Sequence, residues 1–185
     1  MFVTDDDFNS FPYNIPQSED AATVLSELIS NAEPEILRKV LGSVTYNEFI
    51  VGVFVDPNAE ELVMKEDVDI DQKWLDLRDG ANYSYKGKNY RYDGIKNILK
   101  PYIVQEWISD NAENVTLIGV SQPQSENATV VSPGRLISKY YNKFSRLVGN
   151  CEQFCDTLWG FIKANEDNYP DWLFTDPQRK NTMGL

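Results

Sequence analysis

Histidine is absent from the 185 residues of this chain. That removes the commonest general base, the usual partner of serine and cysteine nucleophiles, and the commonest metal ligand. Cysteine is nearly absent: Cys151 and Cys155 are the only two, too few for a disulfide framework. They lie four apart within an apolar stripe, and no histidine or further cysteine could complete a metal site, so they read as buried structural thiols. No apolar run approaches the ~20 residues that cross a bilayer. Met1 to Asp7 is acidic where a secretory signal would be basic and then apolar, so the sequons at Asn82, Asn114 and Asn127 read as chance. Basic residues are scarce in the first eighty positions, where 18 acids meet 5 bases for a charge of −13; the remainder, with 11 acids and 12 bases, carries +1. A net charge of −12 argues against general nucleic-acid binding, which needs an excess of lysine and arginine. The expectation is a protein that is not an enzyme and holds no metal or cofactor.

What is present is one long periodic stretch. Ile137, Tyr140, Phe144, Leu147, Cys151, Phe154, Leu158 and Phe161 follow one another at alternating steps of three and four. Tyr141, Val148, Cys155 and Ile162 run beside them. This spacing predicts a single amphipathic helix from Pro133 to about Glu166, about 50 Å long at ~1.5 Å per residue. Ser132 suits the N-cap and Pro133 the first helical position. Gly149 is its weak point.

The rest reads as further helices and one hairpin in a single domain of 1–185: an N-terminal arm over 1–17, a core over 18–167 and a C-terminal arm over 168–185. The N-terminal arm carries Phe2, Phe8, Phe11 and Tyr13, too many aromatics for a solvated tail, and is expected to lie along a surface of its own subunit or a neighbour's. Three short helices are expected, from Ser18 to Asn31, from Pro34 to Leu41 with Gly42 as cap, and from Val44 to about Val51. Ile70, Trp74 and Leu77 mark another, ended by Gly80. Tyr83 and Tyr85, then Lys86-Gly87-Lys88, then Tyr90 and Tyr92 predict a hairpin with all four tyrosines on one face. Asp93 opens a helix expected to kink at Pro101 and to stop at Asp110-Asn111. Thr116 to Val120 reads as a short strand and Ser121 to Thr129 as an exposed loop. The fold class is mainly α: a helical bundle built on the long C-terminal helix, with a small β-hairpin and extended arms at both ends.

Three patterns are candidate sites. Asp67-Val68-Asp69-Ile70-Asp71 begins like a calcium loop, but Gln72 stands where the sharp turn needs glycine and Arg78 where the bidentate glutamate belongs, so a solvated acidic loop is the better reading. Arg135, Lys139, Lys143 and Arg146 form a basic stripe with no acid between Arg135 and Asn150. An ordinary solvated face is one reading; the acidic first eighty residues make an acidic protein surface the preferred partner over DNA. The tyrosines of the hairpin could stack a small ligand, but packing against a helix is the commoner use. At the C-terminus, Trp172, Leu173, Phe174, Met183 and Leu185 remain apolar where Pro170 and Pro177 prevent a helix, and are expected to dock on a partner.

Several motifs together resemble one family. They are Leu41-Gly42 followed by Tyr46-Asn47-Glu48-Phe49, then Trp74, Leu77, Gly80, Tyr83 and Gly87, then Tyr92-x-Gly94-Ile95-Lys96-x-Ile98-Leu99. Tyr102-Ile103, Trp107, Gly119-Val120, Glu126-Asn127-Ala128, Val131-Ser132-Pro133, Asn142-x-Phe144 and the closing Asn181-Thr182-Met183-Gly184-Leu185 continue the pattern. The chain resembles small virion proteins of tailed bacteriophages, often of Bacteroidetes hosts, that act as head–tail connectors or adaptors. The resemblance covers most of the chain and rests on packing and turn residues. It implies a structural protein of the virion, assembled in the host cytoplasm. It also implies a ring, often twelve-fold, between the portal and the tail or neck proteins, with DNA passing through unbound and no membrane partner. The rival expectations are a small-ligand-binding module using the tyrosine hairpin, and an enzyme of another type.

Overall fold

Six α-helices, three 3-10 turns and one two-stranded hairpin make up the regular structure of the described residues. In this computed structural model those residues are 1–10, 12, 13, 15, 19–56, 63–118, 133–150, 155–175 and 177. Expectations for Phe11, Ser18, the loop 121–129, Ser132, Cys151, Phe154, Met183 and Leu185 lie outside them. The chain is mainly helical with a small antiparallel hairpin, as the sequence predicts.

The N-terminal arm belongs to the core. Phe2, Val3, Phe8, Tyr13 and Ile15 are buried, and Phe2 stacks on Phe49 with ring centroids 5.1 Å apart. Two ties hold the segment. The backbone N–H groups of Phe2 and Val3 donate to the buried carboxylate of Glu33, and Asp7 in the turn Asp5–Phe8 pairs with Lys96 and Lys100 at 2.9 and 3.0 Å.

The first two expected helices are one. Helix α1 runs from Glu19 to Leu41 with Pro34 inside it. Proline costs a helix interior about 3 kcal/mol, but Leu25, Ile29, Ala32, Ile36 and Val40, all buried, keep a single helical phase across it. Burying that continuous face offsets the proline. After Gly42 comes α2, Ser43–Val53. Then α3, Gln72–Asp79, is opened by Asp71, whose side chain accepts from the Lys73 N–H, and closed by Gly80 at φ 94°. Gly52 is where α2 and α3 meet, because a Cβ there would strike the Trp74 indole.

Strands β1, Ala81–Tyr85, and β2, Lys88–Tyr92, pair with Tyr83 opposite Tyr90 and Ala81 opposite Tyr92. Lys86 and Gly87 both take positive φ, 51° and 75°, as a two-residue hairpin turn requires. Helix α4, Ile95–Ile118, runs through Pro101 without interruption. It also passes the stop expected at Asp110-Asn111, and Thr116 to Ile118 are helical where a strand was expected. No glycine or proline follows Pro101 before Gly119, and Asn111 donates its side-chain amide to the Trp107 carbonyl one turn back, at 2.8 Å.

The expected long C-terminal helix is two helices. Helix α5 spans Pro133–Val148 and α6 spans Leu158–Ala164. Between them Thr157 is extended (φ −121°, ψ 160°) and accepts from the Gly160 N–H as the N-cap of α6. Cys155 is disulfide-bonded, a correction to the expected thiol. The two halves of the expected stripe bury against different partners: α5 lies along α4, and α6 lies on the hairpin.

The C-terminal segment folds back on its own subunit. Tyr169 is buried and donates to the Lys73 carbonyl at 2.6 Å. The Trp172 indole donates to the Val40 carbonyl at 3.0 Å, and Ser145 Oγ donates to the Pro177 carbonyl. In packing order the helices run α2, α1, α4, α5, with α3 bridging α2 and α4.

Candidate functional site

The basic stripe on α5 divides when it meets the N-terminal segment. Lys143 is half-buried; its ammonium donates to the Tyr13 hydroxyl at 2.6 Å and lies 4.6 Å from that ring's centre. Burial, and then the nearby Arg146 charge, push Lys143 below the usual lysine value. Tyr140 donates to the Pro12 carbonyl at 3.0 Å, so this part of α5 clamps the N-terminal segment. Arg135, Lys139 and Arg146 stay exposed on the outer side of the helix. Three of the four predicted basic residues therefore face outward together, and the fourth is internal.

The C-terminal set divides too. Trp172 and Phe174 are half-buried, with ring centroids 5.2 Å apart, and pack on the subunit's own core. Leu173, between them, is 73 % exposed. It lies beside Gly42, where an added Cβ would be in ordinary van der Waals contact with it.

The tyrosines of the hairpin share one face, as predicted, and that face is turned onto α6. Tyr92 stacks on Phe161 at 4.7 Å, Tyr83 meets the same ring edge-on, and Tyr85 meets Trp159 at 90°. Burial raises Tyr92 well above the ordinary tyrosine value. The other face of the hairpin carries Asn82, Ser84, Asn89 and Arg91, and these residues together with Tyr83 and Tyr90 line an open groove of about 570 Å³. Ser84 and Asn89 are joined across it at 2.6 Å, and Arg91 pairs with Asp93 at 3.1 Å.

The expected acidic loop is structural. Asp67 and Asp79 bracket the Arg78 guanidinium at 2.8 and 2.6 Å, which hold it above the usual arginine value. Among the described residues no cluster of three or more carboxylates or thiols could hold a metal ion.

One surface was not anticipated. Val44, Glu48, Val51 and Val55 form the outer face of α2 and its exit, all exposed. Phe54 bridges Met64 in antiparallel fashion, with the Val55 N–H donating to the Val63 carbonyl at 2.9 Å, so Val55 and Val63 stand side by side. Val55 and Val68 are 65 % and 87 % exposed. The patch is held firmly: Lys65 reaches the Val51 and Gly52 carbonyls at the end of α2, and Arg78 grips Asp67. Exposed acids lie within and beside these segments: Glu48 in the α2 row itself, Asp56 next to Val55, and Glu66 and Asp69 in the chain on either side of Val68. The sequence carried a sign of it, since α2 has Val44 and Val51 on the side away from Tyr46, Phe49 and Val53, and a helix with only one buried face does not need them.

Residues 37–182 match a family profile that spans α2 through the C-terminal segment. The chain belongs to DUF6712, a family of unknown function. The DUF6712 match covers the α2 patch, the hairpin and the basic face of α5, and leaves out residues 1–36, the N-terminal segment and most of α1. No curated protein and no solved structure matches the chain. Within this DUF6712 chain, no helix among the described residues is long and apolar enough to cross a membrane.

Proposed function

We propose that this DUF6712 chain is a structural assembly protein, and that the assembly is the head–tail junction of a tailed-phage virion. In this reading it is a connector or adaptor subunit that joins a ring beneath the portal and meets tail or neck proteins, with DNA passing through and no catalysis. The observation that carries the assembly reading is the exposed valine patch on α2. Isolated exposed valines are ordinary, but a row of them interspersed with acids and tied down by Lys65 suits a protein-binding surface. The motif resemblance supplies the virion context. Tyr83 and Tyr92, buried against α6, are not free to stack a ligand, which weighs against the binding-module reading.

The test is where the chain is found. Its gene is expected beside portal and capsid genes, and antibody labelling of purified particles is expected to mark the neck. A gene with no such neighbours, and a product missing from particles, overturns the proposal.

A further inference from the structure

We infer that two copies of this chain bind front to back, the acidic valine patch of one seated on the exposed basic face of α5 in the next. This rests on the reading of the chain as an assembly subunit and names the surfaces it uses. The two surfaces complement each other in charge. Val44, Val51, Val55 and Val63 share their segments with the exposed acids Glu48, Asp56 and Glu66, and Asp69 follows shortly after, whereas α5 offers Arg135, Lys139 and Arg146 in a stretch without an acid. Their chemistry matches in a second way. Lysine and arginine carry apolar stems beneath charged heads, so the stems of Lys139 and Arg146 cover valines while the heads reach the carboxylates around them.

The packing order makes the contact heterologous. Helices α1 and α4 stand between α2 and α5, so the patch and the basic face lie on different flanks and one subunit cannot close the pair on itself. A contact between two different surfaces repeats from copy to copy, and it closes into a ring when the rotation per step permits. Basic α5 faces could instead meet DNA, and the acidic patch could meet an unrelated protein; the test separates these.

The experiment is a charge swap read by sedimentation velocity of the full chain over a range of concentrations and salt. Wild type is expected to associate beyond a dimer, less so at high salt. Lys139→Glu with Arg146→Glu, and separately Glu48→Lys with Glu66→Lys, should each weaken self-association roughly tenfold or more. All four side chains are exposed, and unchanged melting of each variant confirms that folding is intact. Mixing the two variants should restore association in alternating order, because each reversed face then meets its opposite. Val51→Asp should weaken association without rescue by either charge variant. A wild-type chain that stays monomeric at its highest soluble concentration overturns the inference, as does a mixture that fails to reassociate. Duplex-DNA binding that is lost on reversing Lys139 and Arg146, with self-association unchanged, overturns it too. A chain found at the virion neck yet monomeric alone defeats this inference and leaves the connector reading standing; self-association of a chain absent from particles does the reverse.

Discussion

The carboxylate of Glu33, on α1, accepts the backbone N–H of Phe2 at 3.0 and 2.9 Å from its two oxygens, across 31 positions of sequence. Its Oε2 also accepts from Val3 at 3.1 Å. This buried group fastens the N-terminal segment into the cleft lined by Phe49 and Phe54, and it does so inside the molecule, where an unmade hydrogen bond is costly.

Replacing Glu33 with Ala should therefore destabilise the fold by about 3 kcal/mol, since two buried N–H groups lose their acceptor. Urea melts of the purified chain check this. The pH dependence has a definite sign. Burial raises Glu33 above the ordinary glutamate value more than the Phe2 and Val3 hydrogen bonds lower it. Its contribution is then fully present below the unfolded-state value and is lost as pH rises through the folded one. Relative to Glu33→Gln, wild type should gain stability as pH falls from neutral into the mildly acidic range.

Asp7 should behave oppositely. Burial works to raise it, but hydrogen bonds from Lys96, the Thr4 backbone and Lys100 outweigh that and hold it below the ordinary aspartate value. Its stabilisation is present above the unfolded-state value and is lost as pH falls through the folded one. Asp7→Asn should cost about 1 kcal/mol near neutral pH, with the deficit shrinking in acid. Paired melts at neutral and acidic pH distinguish the two carboxyls by the direction in which each difference moves.

Two buried tyrosines should respond in opposite directions to loss of the hydroxyl. The Tyr92 hydroxyl has no hydrogen-bond partner among the described residues, so Tyr92→Phe removes a desolvated polar atom. It should leave stability unchanged or raise it by about 1 kcal/mol. The Tyr169 hydroxyl donates to the Lys73 carbonyl, so Tyr169→Phe should cost about 1 kcal/mol. Thermal melts of both variants settle the contrast.

Gly52→Ala tests the junction of α2 and α3. In an open helix the change would gain up to about 1 kcal/mol. Here the new methyl meets the Trp74 indole, and overpacking should make the substitution destabilising by about 1–3 kcal/mol. Near-ultraviolet circular dichroism should report the displaced tryptophan.

Cutting the chain after Asp167 should lower the melting temperature, because it removes Tyr169 and the Trp172 bond to Val40. A freely docking arm would leave melting unchanged, and that result would contradict the intramolecular packing. Leu173→Ser, at a residue exposed on the outside of the same segment, should leave melting within about 0.5 kcal/mol of wild type.

What the sequence by itself determined was local. Asp71 and Gly80 bound α3, Lys86-Gly87 sets the hairpin turn, and the alternation of Tyr83, Tyr85, Tyr90 and Tyr92 puts four rings on one face; each depends on backbone chemistry within a few residues. The basic face of α5 was legible for the same reason, as helical spacing places Arg135, Lys139 and Arg146 together. Only the tertiary structure decided the rest. Pro34 would end an isolated helix, but α1 continues because its apolar face remains in phase and packs on α4. The regular stripe from Ile137 to Phe161 could not reveal its division, since periodicity records that a face is buried and not against what. Lys143 turns inward because Tyr13 lies beside it, and the tyrosine face meets α6. The valines of α2 are left exposed because Phe2, Phe49, Phe54 and Trp74 fill the core on the other side of that helix. Burial is set by which distant segments compete for the same space, and no short stretch of chain contains that information.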